Sequence, residues 1–318
     1  MATPLTEAEY HTLTGPNRTA RAMAYHLRET PRRLGQLLSA RRYDVVFLQK
    51  AVMTAYVRGF AAVTRACAPR LIYDIDDAVH LAPPHPLRGF WQRLEDREQI
   101  ARVLARAKVV LTGNRWLMEQ MARTCGSAML FPTVVDTDRF VPAPHAPEQF
   151  TVGWIGSAST TEHLQYATRR IGILRDTGIR LVGARRELVP WHRAEVIPWT
   201  AEDEVREIQR FSVGLMPLPK TDWARGKCAL KALQYMACGV PCIATPFGAV
   251  LDIIEHGKNG LFADTPSEWL RAIDRLRDPA ERQRIGEAGR ATVEQRFALK
   301  GWAPQMHELL ERVACPNR

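Results

Sequence analysis

RGKCALKALQYMACGVPCIATPFG, Arg225 to Gly248, carries the reading of the fold, because a helical period runs into a strand through one glycine. Ala229, Leu230, Leu233 and Met236 recur at helical spacing and predict a helix ending at Cys238-Gly239, where glycine suits the left-handed position just past the cap. VPCIATP (Val240 to Pro246) follows as an apolar run of strand length. Lys227 and Lys231 stand at the front of the predicted helix, one turn apart and so on one face. Cations there oppose the helix dipole at a cost of about 0.3–1 kcal/mol each, and a bound anion reverses that penalty. Two ammonium groups and the free N–H groups of a first turn make an anion site of diphosphate size. Two solvated lysines on a surface helix are the plainer alternative.

Outward from this stretch, apolar runs alternate with helical segments along the chain, the pattern of repeated βα units around a mostly parallel sheet. In the first half the strands are expected in Tyr43 to Gln49, Arg70 to Asp77, Lys108 to Asn114 and Ala128 to Val134. VPAPHAPEQ (Val141 to Gln149) breaks the pattern and reads as an interdomain linker. A second set follows, with strands in Phe150 to Gly156, Ile179 to Ala184, Ser212 to Leu218 and Val240 to Pro246. From Pro266 the chain turns helical, with Leu270, Ile273 and Leu276 as an apolar stripe. The loop Gly153 to Thr160 (GWIGSAST) leads from the first strand of this set into a helix, and its small residues allow a ligand close to the backbone. It shares a predicted sheet edge with the lysines, the edge where open α/β sheets bind ligands.

Residues 1–14 contain no run fit to be a first strand, so the N-terminal domain reads as shortened. A helix is expected from about Gly15, with Arg18, Arg21 and Arg28 on one face and Ala20, Met23, Ala24 and Leu27 on the other. Thr30-Pro31 reads as a cap and start of a second helix burying Leu34, Leu37 and Leu38. Such basic amphipathic helices can dock on anionic headgroups, although a solvated basic face has the same pattern.

With 44 Lys+Arg against 34 Asp+Glu the net charge is +10, which favours anionic partners. No helix-turn-helix, zinc-finger or RNP-type wording points to nucleic acid. The six cysteines show no C-x-x-C pair or zinc spacing and read as reduced thiols. Neither a secretory leader nor an apolar stretch of bilayer length is seen, so a cytoplasmic location is expected, with peripheral contact at the inner face of an anionic membrane.

The run Arg225 to Gly248 resembles the donor motif of the retaining GT-B glycosyltransferases of family 4 (group 1), in the bacterial branch worded K-x-x-x-K-x-x-Q-Y-M-A-x-G-x-P. YDIDDAVHL, VVLTGNRWL with FPTVVDTDRF, VGWIGSAST and VGLMPLPKTDWARGKC resemble that branch in order and spacing, over roughly residues 40–265. The resemblance implies two Rossmann-like domains facing a cleft: 1–145 on the acceptor side, 146–296 for a nucleotide-sugar, and a C-terminal helix in 297–318 packing back on the first domain. It implies a nucleoside diphosphate sugar as donor substrate, a saccharide or lipid-linked hydroxyl as acceptor, retention at the anomeric carbon, and no cofactor or metal.

Gln234 stands where the family has its second motif glutamate, expected at the ribose hydroxyls, and its amide both donates and accepts. Gly226 stands where the first would be, so the carboxylate expected near the donor sugar is absent; Asp222 is one replacement, a turn-forming aspartate the alternative. The family's basic pair after the first strand of this domain is missing from Trp154 to Thr161, and Lys227 and Lys231 can supply that charge. Together with the Gly156 and Ser157 amides they are placed to meet the charge growing on the β-phosphate as the glycosidic bond breaks. Trp199, after Ile197-Pro198, can flank the nucleobase, or be core.

Asp74, Asp76 and Asp77 end a predicted buried strand at the cleft edge. D-x-D alone also suggests the metal site of single-domain GT-A transferases. The resemblance favours an acceptor-side role in which Asp76 or Asp77 orients or deprotonates the attacking hydroxyl, with turn capping as the structural alternative. His80 and His85 follow in a Pro-rich loop. Against catalysis, the missing strand and carboxylate also fit a degenerate relative that binds a nucleotide or partner.

Overall fold

The fold is that of a computed structural model, which describes residues 18–49, 59–68, 70–81, 98–144, 147–167, 171, 174 and 176–315. The expected absence of a strand in residues 1–14, the linker residues 145–146 and His85 lie outside these residues, as do the side chains of the helical face through Leu27.

Among the described residues the first sheet has four parallel strands in sequential order: β1 (Val46–Gln49), β2 (Leu71–Ile75), β3 (Val109–Thr112) and β4 (Ala128–Leu130). Their period-two pattern sends alternate side chains to opposite faces. Leu71, Tyr73, Ile75 and Val110 pack with Leu117 and Met121 on one side, while Ile72 and Leu111 meet Leu309 on the other. Helix Arg18–Ser39 runs unbroken through Pro31, so the expected new start at Thr30 is corrected. A proline inside a helix forfeits one N–H bond and bends the helix without having to end it. Of the three leucines expected inside, Leu37 is buried, and Leu34 and Leu38 are exposed.

The second sheet runs β10-β9-β8-β5-β6-β7, all parallel: β5 (Thr151–Ile155), β6 (Gly178–Val182), β7 (Glu195–Ile197), β8 (Val213–Met216), β9 (Cys242–Ala244) and β10 (Leu261–Phe262). Counted from β5 this is the 3-2-1-4-5-6 order of a dinucleotide-binding fold, and the order reverses between β5 and β8, where such sheets open a crevice. Only Val152–Val213 and Gly153–Gly214 pair across that junction. Beyond them Tyr235 fills the gap: its hydroxyl accepts from the Ile155 amide at 3.0 Å and donates to the Leu215 carbonyl at 3.3 Å. Gly214 is required there, since any Cβ would strike the Tyr235 ring.

Tyr235 belongs to helix Leu230–Ala237, which ends as expected. Gly239 has φ 68°, its amide donates to Met236 O at 3.0 Å, and the Val240 amide reaches Tyr235 O at 2.9 Å. That is the paired-bond glycine cap of a helix C-terminus. Helices Pro266–Arg275, Pro279–Arg296 and Leu299–Ala314 complete the chain. Trp269 leads the buried stripe with Ile273 and Leu276, and Leu270 is only half-buried. The last helix lays Leu309, Met306, Leu310 and Val313 on the first sheet. The cysteines are free thiols, with Cys67, Cys125, Cys238 and Cys242 buried.

Candidate active site

Asn114 clasps the two domains. It caps helix Arg115–Ala122, where its Oδ1 accepts from the Leu117 amide at 2.8 Å. That bond fixes the orientation of the amide, so Nδ2 must donate elsewhere. It points at three successive carbonyls of the other domain: Arg225 (3.3 Å), Gly226 (3.0 Å) and Lys227 (3.3 Å). Beside it the Cys228 thiol donates to Asp76 O at 2.9 Å, and Gly113 leaves the space that the sulfur occupies. Burial, and then the Asp76 carboxylate, push that thiol up to about 12, so it is inert as a nucleophile at neutral pH.

The clasp changes the reading of the two lysines. The helix starts at Leu230, after Ala229 in a left-handed conformation (φ 56°), and Lys227 lies before it in the irregular segment held by Asn114. The lysines are therefore not one turn apart on one helix, and Leu230, expected on the apolar face, is exposed. They still serve one site. Lys227 Nζ faces Asp77 Oδ1 across the cleft at 3.9 Å, both side chains half-buried. Lys231 Nζ lies 4.3 Å from the centroid of the Trp154 ring and donates to Thr160 Oγ1 at 3.2 Å. Burial first, and the Lys227 charge second, bring Lys231 down to about 7. Next to it, burial and then the charges of Lys231 and Lys227 bring His163 down to about 4, so this imidazole is neutral at pH 7.

Gly156 forms the wall over Lys231. A Cβ there would sit 2.6 Å from Nζ and 2.5 Å from the Trp154 ring, so the absence of a side chain makes room for these two residues. Its amide, however, donates to Val182 O at 3.0 Å and is not available to a phosphate, which corrects the role expected of it. The Ser157 hydroxyl, 3.0 Å from that of Ser159, is the polar group of the turn.

Gln234 and Trp199 are brought together by a residue the sequence reading missed. Glu204 Oε1 accepts from Gln234 Nε2 at 3.1 Å and from Trp199 Nε1 at 3.2 Å, and its Oε2 pairs with Arg139 at 3.1 Å. Trp199 is 48% exposed and is not core. A Cβ on Gly183 (φ 74°) would meet both Gly156 O and the Trp199 side chain, so this cluster borders the same crevice as Lys231. No local pattern marked Glu204 or His163, ordinary polar residues of a helix start and a turn, while Thr160 closes the small-residue loop.

In the first domain, Gln49 from β1 donates to Asp74 at 3.1 Å and Asp76 at 3.4 Å, tying these two acids to the strand ends. His80 lies beside Trp116 (centroids 5.8 Å apart), and burial lowers its pKa. Asp222 opens the four-residue helix Asp222–Arg225, is 70% exposed and pairs with Arg225 at 3.8 Å. Gly226 is closed off: a Cβ would fall 2.6 Å from both the backbone N and the Cβ of Ala78 in the other domain. A separate cavity of about 340 Å³ between the domains is lined by Arg115, Thr133, Asp252, Phe297 and Trp302; it does not include Lys231, Gly156 or Trp199. Among the described residues no group of acidic, histidine or cysteine side chains is arranged to hold a metal, and no helix is long and apolar enough to cross a membrane.

Residues 149–278 match the family model of glycosyl transferases group 1. The N-acetyl-alpha-D-glucosaminyl L-malate synthase of Bacillus anthracis is 32% identical over 99 residues, 30% of this chain and 25% of that protein. The D-inositol 3-phosphate glycosyltransferase of Corynebacterium jeikeium is 33% identical over 87 residues, 26% of this chain and 20% of that one. The matched region thus spans a quarter or less of these relatives. In fold the chain is similar to Anabaena HepE in complex with UDP-glucose (TM-score 0.68, 17% identity, 88% of this chain and 81% of that one). It is also similar to sucrose-phosphate synthase from Thermosynechococcus elongatus (TM-score 0.65, 15% identity, 100% and 82%). At these identities the likeness shows architecture: two Rossmann-like domains in the GT-B arrangement.

Proposed function

We propose that the protein is a glycosyltransferase that moves a sugar from a nucleoside diphosphate sugar to a hydroxyl of a saccharide or lipid-linked acceptor, with retention at the anomeric carbon. One observation carries the reading: a sequestered ammonium, Lys231, sits at the switch-point crevice under a glycine wall, with Lys227 between it and an acidic cluster of the opposite domain. The family match of residues 149–278 supports the donor side. Lys231, Thr160 and Ser157 hold the diphosphate, and charge growing on the β-phosphate as the bond to the sugar breaks is met by Lys231 and Lys227. Asp77, 3.9 Å from Lys227, receives the acceptor proton, and Asp76, tied to Gln49, orients the acceptor. The test is transfer or hydrolysis from a panel of UDP, GDP and ADP sugars, with the anomeric configuration of the product read by NMR. Release of no nucleotide from any of them would leave binding without catalysis.

Asp77→Asn is expected to slow transfer by about 10²–10⁴-fold, the usual worth of a positioned base, with nucleotide affinity within about threefold of wild type. The melting temperature should hardly change, since a part-exposed pair of this kind contributes about 0–1 kcal/mol. Steady-state kinetics beside calorimetric Kd values check both arms.

Donor affinity should also depend on pH. Free Lys231 titrates at about 7 and bound Lys231 higher, because the diphosphate favours the charged form. Binding therefore takes up a proton above pH 7, and affinity falls as pH rises, by at most about tenfold per unit. Below pH 7 the ammonium is already charged and the curve is flat. Calorimetry of a nucleotide sugar at pH 8 in buffers of different ionisation heat measures the uptake directly, and Lys231→Met should abolish it.

A further inference from the structure

We infer that Glu204 is the carboxylate that recognises the ribose hydroxyls of the donor, an inference that rests on the nucleotide-binding reading of the crevice. Gln234, at the motif position, is 7% exposed and donates from Nε2 to Glu204 at 3.1 Å. Glu204 comes from a different element, the start of helix Glu204–Ile208 after β7, and meets helix Leu230–Ala237 through Gln234. Its side chain is 12% exposed, and three donors meet it: Gln234 and Trp199 on Oε1 and Arg139 on Oε2. A carboxylate offers about four acceptor sites and no donor, so these three bonds leave capacity for a hydroxyl. Hydroxyl groups are what an acceptor-only residue selects, and a vicinal diol supplies two O–H donors.

The neighbours fix the orientation of the whole group. The bond from Trp199 Nε1 pins the edge of an indole whose surface is nearly half open to solvent, an arrangement that suits a planar base. Arg139 also donates to Ala201 O at 2.7 Å, which holds the turn before the helix against the stretch following β4. The carboxylate is thus held by residues far apart along the chain, Arg139 and Gln234, and its partner Trp199 borders Gly183 and Gly156 O. A role limited to propping Trp199 would use the same bonds but would confer no preference among sugar hydroxyls.

The test compares UDP, GDP and ADP with their 2′-deoxy and 3′-deoxy counterparts by calorimetry, on wild type, Glu204→Gln, Glu204→Ala, Arg139→Met and Lys231→Met. Wild type is expected to prefer the ribonucleotide it binds best by tenfold or more over at least one deoxy form, about the worth of one hydrogen bond to a charged group. Glu204→Gln should cut that preference to about threefold or less and Glu204→Ala should remove it, whereas Lys231→Met should weaken all forms alike and keep the ratio. Arg139→Met, which removes one anchor but keeps the carboxylate, should weaken the preference by less than Glu204→Ala. Equal binding of ribo and deoxy forms by wild type, or an undiminished ratio in a folded Glu204→Gln, would overturn the assignment while leaving the nucleotide site standing. Binding of none of the diphosphates by wild type would overturn both.

Discussion

Lys231→Met is expected to weaken nucleoside diphosphate binding about 100-fold, roughly 3 kcal/mol, within the range for removing one partner of a buried charge-assisted bond. The same substitution should leave the melting temperature unchanged or raise it. The two effects have one cause. Among the described residues Lys231 has no carboxylate within salt-bridge distance; its partners are the Thr160 hydroxyl and the face of Trp154. Desolvation of the ammonium is then only partly offset, which is why burial leads the fall to about 7. Because this pKa lies below that of an unfolded lysine, the unfolded chain binds more protons between pH 7 and about 10.5, and stability without ligand rises with pH across that window. Methionine keeps the apolar stem and removes the strain of the charge. Thermal unfolding with and without UDP, GDP and ADP would show it: wild type shifts upward with the diphosphate it binds, and the variant does not. A variant that loses stability but still binds would mean that the cation serves the core and not a ligand.

Gly226→Glu, which restores the carboxylate of the related motif, should damage the protein instead of improving it. The Cβ of any residue at 226 would lie 2.6 Å from the Ala78 nitrogen and 2.9 Å from its Cα. These are backbone atoms of the other domain and cannot rotate away. Relief would come only by parting the domains, which pulls the 225–227 carbonyls off Asn114 and Cys228 off Asp76 O. Overpacking of this kind costs about 1–3 kcal/mol, and loss of the clasp adds to it. A lower melting temperature and a fall of 10²-fold or more in transfer are expected, the latter because Lys227 and Asp77 would no longer face each other; an estimate of that size follows from losing alignment of reacting groups. Gly226→Ala should show the same direction, since the collision begins at Cβ. An equally stable and faster Gly226→Glu enzyme would show that the domains part at this contact during turnover.

Most of the fold could be read from local pattern. The alternation at β2, β3, β5, β8 and β9 was visible because each strand is a run of apolar residues between polar or small ones, and each lies at or near the predicted place. The short edge strands were not: β7 (Glu195–Ile197) and β10 (Leu261–Phe262) are too brief to show a period and exist because β6 and β9 offer them an edge. The site was half legible. Lys227, Lys231, Gly156, Gln234 and Trp199 lie near one crevice, yet the Gly156 amide expected at the phosphate is spent on Val182 O, and an Nε2 hydrogen of Gln234 goes to Glu204.

The sequence alone determined what depends on neighbours within a few residues: the glycine cap at Gly239, the βα rhythm and the small-residue turn after β5. Only the tertiary structure decided where helix Leu230–Ala237 begins, what closes Gly226 and which carboxylate meets Gln234. The reason is separation along the chain. Asn114 fixes residues more than a hundred positions away, and Glu204 reaches Gln234 over thirty, so the hydrogen bonds that set these features leave no periodic trace in the residues they join.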